Sequence, residues 1–296
     1  MKSIKYLAYS VLVMVAAAGF SSCQKMDRPE MGEIILDPEP PPYNPLKSFW
    51  SFEDNTDDAG ELNLTAVTNN VSYVDGINGK AISFGTDGYM LMTGIGDTVT
   101  FPNGYVALPV DTLANPGSLS FSFWMNVPGP VDGGAQGVFS FSHGKEFWGN
   151  FDMFLENNNN TADPSEAFIK FHMYNANAPS GQNEQWSEIK VTGVLNKWTH
   201  IGITYDSATA MLNLYVDGAL TGLSKALAGG DYGKLKYNEF KGLVLGTYQF
   251  MTNPSLTTNH GREDWAKSIK GPIDQFRLYN KALTADEINQ LFTSKD

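Results

Sequence analysis

The sequence predicts an all-β domain, a sandwich or a barrel, closed by one short C-terminal helix. Three observations predict it. Apolar and polar residues alternate over short runs, the period of a half-buried strand. Asp-Gly and other Gly-rich turn signals separate those runs. A clear helical period occurs in one place, 281–296. The chain has 296 residues, 42% of them hydrophobic, with 29 Gly. That suffices for a sizeable core, and β-sandwiches of roughly 250 residues commonly form one domain.

The elements follow in chain order. Met1 to Lys5 is a short basic start, and Tyr6 to Phe20 is almost wholly apolar. The run is shorter than the ~20 residues a membrane span needs. Small residues and then Cys23 follow, so 1–22 reads as a secretory signal peptide, outside the fold. Residues 23–45 carry six prolines, Pro29 to Pro45. Such a segment is stiff and extended, and reads as a stalk. The domain proper is expected over 46–294, with no internal repeat or linker.

Within it, "SLSFSFWMNV" places Leu119, Phe121, Phe123, Met125 and Val127 on one face. In "GVFSFSHG", Phe139 and Phe141 alternate with Ser140 and Ser142. "AFIKFHMY" puts Lys170 and His172 on the side of Phe168, opposite Ile169. "HIGITYDSATAMLNLYVDG" reads as a hairpin ending in an Asp217-Gly218 turn. Further Asp-Gly pairs begin at Asp75, Asp87 and Asp132. In the closing helix Thr284 and Glu287 form a capping box, and Leu283 and Ile288 stand at the hydrophobic-staple positions. Ile288, Leu291 and Phe292 make its apolar stripe.

Four ordered stretches carry a resemblance: "FWSFEDNTDDAG", "GKAISFG", "NKWTHIGITYD" with "LNLYVDG", and "KGPIDQFRLYNKALTADEINQLF". Together they resemble the laminin G-like, concanavalin A-like domains. The resemblance implies a two-sheet antiparallel jelly roll over 46–294. It does not fix function, because that fold hosts lectins, glycan-binding modules, adhesion modules and glycosidases. "FSSC" resembles the lipobox of bacterial lipoproteins, in which the peptide is cut before the cysteine and the thiol receives a diacylglycerol. It departs from the usual pattern at Phe20, where Leu is common. Cys23 is the only cysteine, so this reading gives it a role as lipid anchor. The combination resembles a Bacteroidetes-type surface lipoprotein. That implies an outer-membrane, lipid-anchored protein exposed at the cell surface, to which Gln24 and Lys25 add a weak signal for outward export. It also implies a poly- or oligosaccharide as ligand and other glycan-uptake proteins as partners.

Charge removes other classes. The net charge is −12, so the surface repels phosphate backbones and nucleic acid is not expected. No polybasic patch is present, so membrane contact is expected through the lipid alone. One cysteine excludes a disulfide framework and Cys-rich zinc sites.

No catalytic constellation stands out. His143, His172, His200 and His260 are far apart, and none lies in H-E-x-x-H. There is no G-x-S-x-G and no P-loop, and "GIGDTV" lacks the third Gly of a dinucleotide loop. Glycosidases need two carboxyls, about 5 Å apart when retaining and about 6.5–9.5 Å when inverting. The E-x-D-x-x-E string of concanavalin-like glucanases is absent. The nearest candidates, Asp152 and Glu156, would stand ~13 Å apart on a strand. No catalytic residue is therefore assigned, and His200 reads as a framework histidine. Glycoside hydrolase and protein-adhesion module remain as alternatives to glycan binding.

The resemblance further implies one structural Ca²⁺ where the first and last strands meet. The matching positions are Asp58 and Asp274, with the backbone near Glu53 completing the site. The alternatives are an Asx turn for Asp58 and a surface pair for Asp274. For the ligand site, sugar rings suit aromatic platforms beside polar groups. Trp50, Trp124 and Trp198 lie in strand motifs and read as framework. Trp148, Trp186 and Trp265 lie in polar, strand-poor context and are the candidates for facing a glycan. Arg262 and Asp264, beside Trp265 in a long loop, would bond its hydroxyls. The alternative for each Trp is a cover over a local apolar patch.

Overall fold

The computed structural model describes residues 42–93, 99–100, 106–107, 109–129, 133–157 and 163–295. The predicted signal peptide, Cys23, the stalk as far as 41 and Asp132 lie outside the described residues. The strands are β1 (Leu46–Trp50), β2 (Thr65–Asp75), β3 (Lys80–Thr93), β4 (Val99–Thr100), β5 (Val106–Ala107), β6 (Leu119–Met125), β7 (Ala135–Phe141) and β8 (Phe151–Leu155). They continue as β9 (Ala167–Tyr174), β10 (Glu184–Val191), β11 (Thr199–Asp206), β12 (Met211–Val216), β13 (Ala219–Ala226), β14 (Leu243–Leu245), β15 (Ala266–Ser268) and β16 (Pro272–Tyr279). Among the described residues two α-helices join them, α1 (Pro109–Ala114) and α2 (Ala285–Ser294). The sequence reading missed α1, whose six residues are too few to show a helical period.

The result is an antiparallel sandwich. One layer runs β13-β12-β11-β6-β16, with β1 against β16. The other runs β10-β9-β8-β7-β14, with β15 alongside β7 as a parallel exception. The hairpin β2–β3 joins the layers. Its Ile82 and Ser83 pair with β16, while Met90 to Met92 pair with β14. Between those halves the ladder slips at Asn70. Asn70 (φ 45°) and Asp87 (φ 57°) are left-handed, and the Asn70 amide donates to the Thr86 carbonyl at 2.7 Å. A Cβ on Gly88 would stand 2.6 Å from the Asn70 carbonyl oxygen, so the bend needs glycine there.

Between the layers lies a phenylalanine core. Phe121 of β6 meets Phe139 of β7 at 4.5 Å between ring centroids, and Phe276 of β16 lies 5.4 Å from Phe123. All seven residues of β6 are buried, not only its apolar face. The reason is α2, which covers the outer face. Its Phe292 stacks on Trp124 at 5.7 Å. The predicted capping box is present, with the Glu287 N–H donating to Thr284 Oγ1 and the Thr284 N–H donating to the Glu287 carboxylate. Leu283 and Ile288 share a small buried cluster with Tyr215 and Tyr279. The Asp217-Gly218 turn has both residues at positive φ (48° and 76°), as a tight two-residue hairpin turn requires.

Candidate functional site

The outer face of β8, β9 and β10 is built by alternation. Phe151, Met153 and Leu155 of β8 point into the core, so Asp152 and Phe154 point out. On β9 the same rule turns Phe168, Lys170 and His172 outward. Strand register then sets two rows across the sheet. One is Asp152–His172–Trp186, and the other is Phe154–Lys170–Glu188.

Trp148 arrives over this face on the loop between β7 and β8. Its indole stacks on Phe154 at 5.5 Å and 11°. The loop is fixed by Gln249, a fully buried side chain. The Gln249 amide nitrogen donates to the Glu146 and Phe147 carbonyls, and its amide oxygen accepts the His143 N–H. Asp152 holds the other end, accepting the Gly149 N–H at 2.7 Å and the Ser140 hydroxyl at 2.5 Å. A Cβ on Gly149 would lie 2.5 Å from the Phe141 carbonyl oxygen, so the turn admits no larger residue. Trp265 approaches from the residues just before β15, 6.0 Å from Trp148. Trp186 stands edge-on to Trp148 at 5.0 Å.

The three predicted tryptophans therefore meet. They line one open groove of about 470 Å³, with Phe154, Glu156 and Lys170 among its other walls. Trp186 and Trp265 remain 42% and 38% exposed. Trp50 and Trp124 are buried framework, as the strand motifs imply. One feature differs from the sequence reading. Trp186 is not in strand-poor context but in β10, whose alternating, largely exposed residues are those of an edge strand, paired only to β9 along the layer.

Beneath Trp186 sits His172, with ring centroids 4.8 Å apart. It is buried between two carboxylates, Nδ1 at 3.3 Å from Asp152 and Nε2 at 3.6 Å from Glu184. Burial pulls its pKa down, but the hydrogen bond to Asp152 and the nearby Glu184 carboxylate outweigh burial and hold it above the ordinary imidazole value. Lys170 is also compensated, 3.1 Å from Glu156 and 3.6 Å from Glu188.

Arg262 and Asp264 do not join the groove-lining residues. The Arg262 guanidinium turns instead to the Asp87 carboxylate, with a second bond to the Met251 carbonyl. Asp264 is exposed, and its carbonyl accepts from Lys267. The polar groups the groove offers are Glu156, Asn157 and Lys170, which sequence reasoning missed as a set. Lys170 was signalled by the outward side of the β9 alternation, and Glu156 only as half of the Asp152–Glu156 carboxylate pair, while Asn157 carried no signal.

The predicted calcium residues are divided. The Asp58 carboxylate accepts three backbone N–H groups, from Phe49, Gly60 and Leu64. That is the Asx-turn role, and it leaves little lone-pair capacity for a cation. Asp274 is buried and accepts from Ile77, Asn78 and Gln275. Burial raises its pKa to about 6, with the Glu53 charge adding to the rise. Glu53 in turn accepts the Lys80 N–H, so both carboxylates clasp the β2–β3 turn. Its backbone carbonyl, the predicted ligand, accepts the Asn55 amide. Among the described residues, no group of three or more His, Cys, Asp or Glu is placed to hold a metal ion.

Comparison with solved structures adds the fold's relatives. The receptor-binding domain of botulinum neurotoxin C/D mosaic serotype is similar at 14% identity and a TM-score of 0.56, covering 85% of this chain and 51% of that one. The serotype D ligand-binding domain, solved with N-acetylneuraminic acid, shows 13% identity and a TM-score of 0.54, over 85% and 51%. The binding domain of neurotoxin DC, solved with rat synaptotagmin II, shows 15% and 0.54, over 84% and 51%. The matched regions thus span about half of those longer chains, and at such identity they show the fold alone. Among curated proteins compared by sequence, none matches. The family model for the concanavalin A-like lectin/glucanases superfamily matches residues 100–289, well over half of the 296-residue chain. With strand order, capped helix and sequence model in agreement, the chain belongs to the concanavalin A-like lectin/glucanases superfamily.

Proposed function

We propose that this protein binds carbohydrate without cleaving it, and that the ligand lies in the Trp148–Trp186–Trp265 groove. One observation carries the reading. Three tryptophans from separate parts of the chain converge on one groove, and two stay exposed where most large apolar side chains are buried. Leaving indole in water costs burial free energy. A sugar ring, with an apolar face edged by hydroxyls, is a ligand that recovers it. Two neurotoxin binding domains, about half of each similar to this chain, were solved with N-acetylneuraminic acid and with SialylT, which supports the reading.

The carboxylates support the non-catalytic part. Glu156 is the carboxylate among the groove-lining residues, and it is paired with Lys170. Asp152 is buried beneath and bonded to Ser140 and Gly149. A second acid facing the same ligand, which glycoside hydrolysis requires, is missing among the described groove-lining residues. Attachment through lipidated Cys23, display at the outer-membrane surface and cooperation with other glycan-uptake proteins belong to the same proposal. They rest on the lipobox resemblance. Structural calcium belongs to it as well and rests on the family resemblance; Asp58 and Asp274 each accept three backbone N–H groups, and what favours Asp274 is the like charge of Glu53 beside it. Asp274 is buried beside a like charge, and a divalent cation would relieve that repulsion.

The test is retention of the purified protein on a broad panel of immobilised polysaccharides, with products assayed for released sugar. We expect retention on one glycan class and no release. Alanine at Trp148, Trp186 and Trp265 together should abolish retention while leaving the fold intact by circular dichroism. Unchanged retention in the triple variant would move the ligand elsewhere. Affinity for a protein partner with no sugar bound would favour the adhesion reading.

A further inference from the structure

The charge layout of the groove narrows the ligand class. We infer that the groove selects neutral glycans and rejects those carrying sulfate, uronate or sialate groups. The inference rests on the glycan-binding reading above and concerns which glycans bind.

Recognition of an anionic sugar calls for an unspent cation or a cluster of N–H donors facing the ligand. Lys170 is the cation among the groove-lining residues. Its ammonium lies between the carboxylates of Glu156 and Glu188, at 3.1 and 3.6 Å, and 4.8 Å from the Phe168 ring centroid. With two anions on one cation, the potential it presents to a ligand is neutral to negative. His172 under Trp186 is likewise balanced by Asp152 and Glu184. Lys190 is paired with Glu166 at 3.5 Å, and the two ammonium groups nearby that keep their charge, Lys225 and Lys267, are not among the groove-lining residues. Lys225 donates to the carbonyl of Trp186, and Lys267 to that of Asp264, whose own carboxylate is exposed. The stretches that adjoin the lining residues in sequence, 130–132 and 158–162, contain no Lys or Arg. The whole chain carries a net −12, which repels a polyanion before contact.

What the groove does offer suits an uncharged pyranose. Two indoles meet edge to face at 5.0 Å, giving a platform and a side wall. The Glu156 carboxylate lines the groove, where it can accept from hydroxyls. Glu156 spends one bond on Lys170 and one on the Asn157 N–H, so acceptor capacity remains.

The test uses matched polymers that share a backbone: hydroxyethyl cellulose against carboxymethyl cellulose, galactan against the same galactan after sulfation, and fully methyl-esterified polygalacturonate against polygalacturonate. Like-charge juxtaposition costs several kcal/mol, so the neutral member of any pair that binds should be favoured by about tenfold or more at low salt; added salt should narrow the preference by screening the repulsion of the anionic member while leaving affinity for the neutral member little changed. Glu156→Gln combined with Glu188→Gln frees Lys170. That variant should gain affinity for the anionic member, and salt should remove the gain. Preference of the native protein for an anionic polymer would overturn the inference while keeping glycan binding. Absence of any gain in the double variant would overturn Lys170 neutralisation as its cause. Failure of every polymer, neutral and anionic, would bring down the glycan-binding reading itself.

Discussion

Gln249 shows how much one residue can decide. Its amide supplies bonds to three backbone groups of the 143–147 segment, just ahead of Trp148. The His143 N–H is buried and the two carbonyls are partly so. Gln249→Met keeps the length of the side chain and removes every bond. Leaving buried polar groups unmatched costs ~1–3 kcal/mol each before relaxation. We expect a loss of about 2–4 kcal/mol in chemical denaturation, with glycan retention falling in parallel because Trp148 loses its setting. Retention that survives while stability drops would show that stacking on Phe154 alone positions the indole. None of this was legible in the sequence. A glutamine near a phenylalanine signals nothing until the fold brings it to a segment about a hundred positions earlier. The tryptophans were legible because an indole in polar context is itself an anomaly. Arg262 and Asp264 were misplaced for the complementary reason, that a charged residue beside a tryptophan is equally free to find a partner elsewhere. Arg262 found Asp87, 175 positions away in sequence.

At the level of elements, most of the structure follows from period and punctuation. The alternation in β6 and β9, the Asp217-Gly218 turn and the capping box of α2 are local, and each appears where the sequence puts it. What local patterns do not reveal is which faces become doubly covered. Gly202 in the middle of β11 is the case in point. Glycine weakens a strand interior, and here it makes room for α2. A Cβ there would stand 2.8 Å from Ile288 Cγ2 and 3.1 Å from its Cδ1. Gly202→Ala should therefore destabilise by about 1–3 kcal/mol through overpacking, despite alanine's lower chain entropy. Trimming the opposing side chain in Gly202→Ala with Ile288→Val should return part of that loss. Coupling between residues in contact is commonly ~0.5–3 kcal/mol. Additive losses in the double variant would show that α2 shifts as a body and the contact is not the cause.

For the molecule as a whole, two buried groups set opposing responses to acid. His200 in β11 is fully buried, with Nε2 2.8 Å from the Ser122 hydroxyl and no hydrogen-bond partner for Nδ1. Burial depresses its pKa from 6.5 to about 4. The unfolded chain therefore binds more protons between those values, and this group removes stability as pH falls from about 6.5 to 4. The shift corresponds to an upper bound of ~3 kcal/mol. Asp274 has the reverse sign. Its folded pKa of about 6 lies above the ordinary carboxyl value of 3.8. The folded state binds the extra proton, so the charge destabilises above about 6 and that penalty fades as pH falls toward 3.8. The two windows overlap, and the losses from His200 are offset by the relief of Asp274. Asp274→Asn removes the relief, so its melting temperature should fall more steeply than the native protein's between pH 6 and 4. Bound calcium would hold Asp274 ionised and already compensated. Calcium should then raise the native melting temperature near neutral pH, steepen its acid slope toward that of the variant, and leave Asp274→Asn unaffected. Parallel slopes for both proteins in chelator would mean that Asp274 titrates normally, which would remove the electrostatic reason for placing a cation beside it.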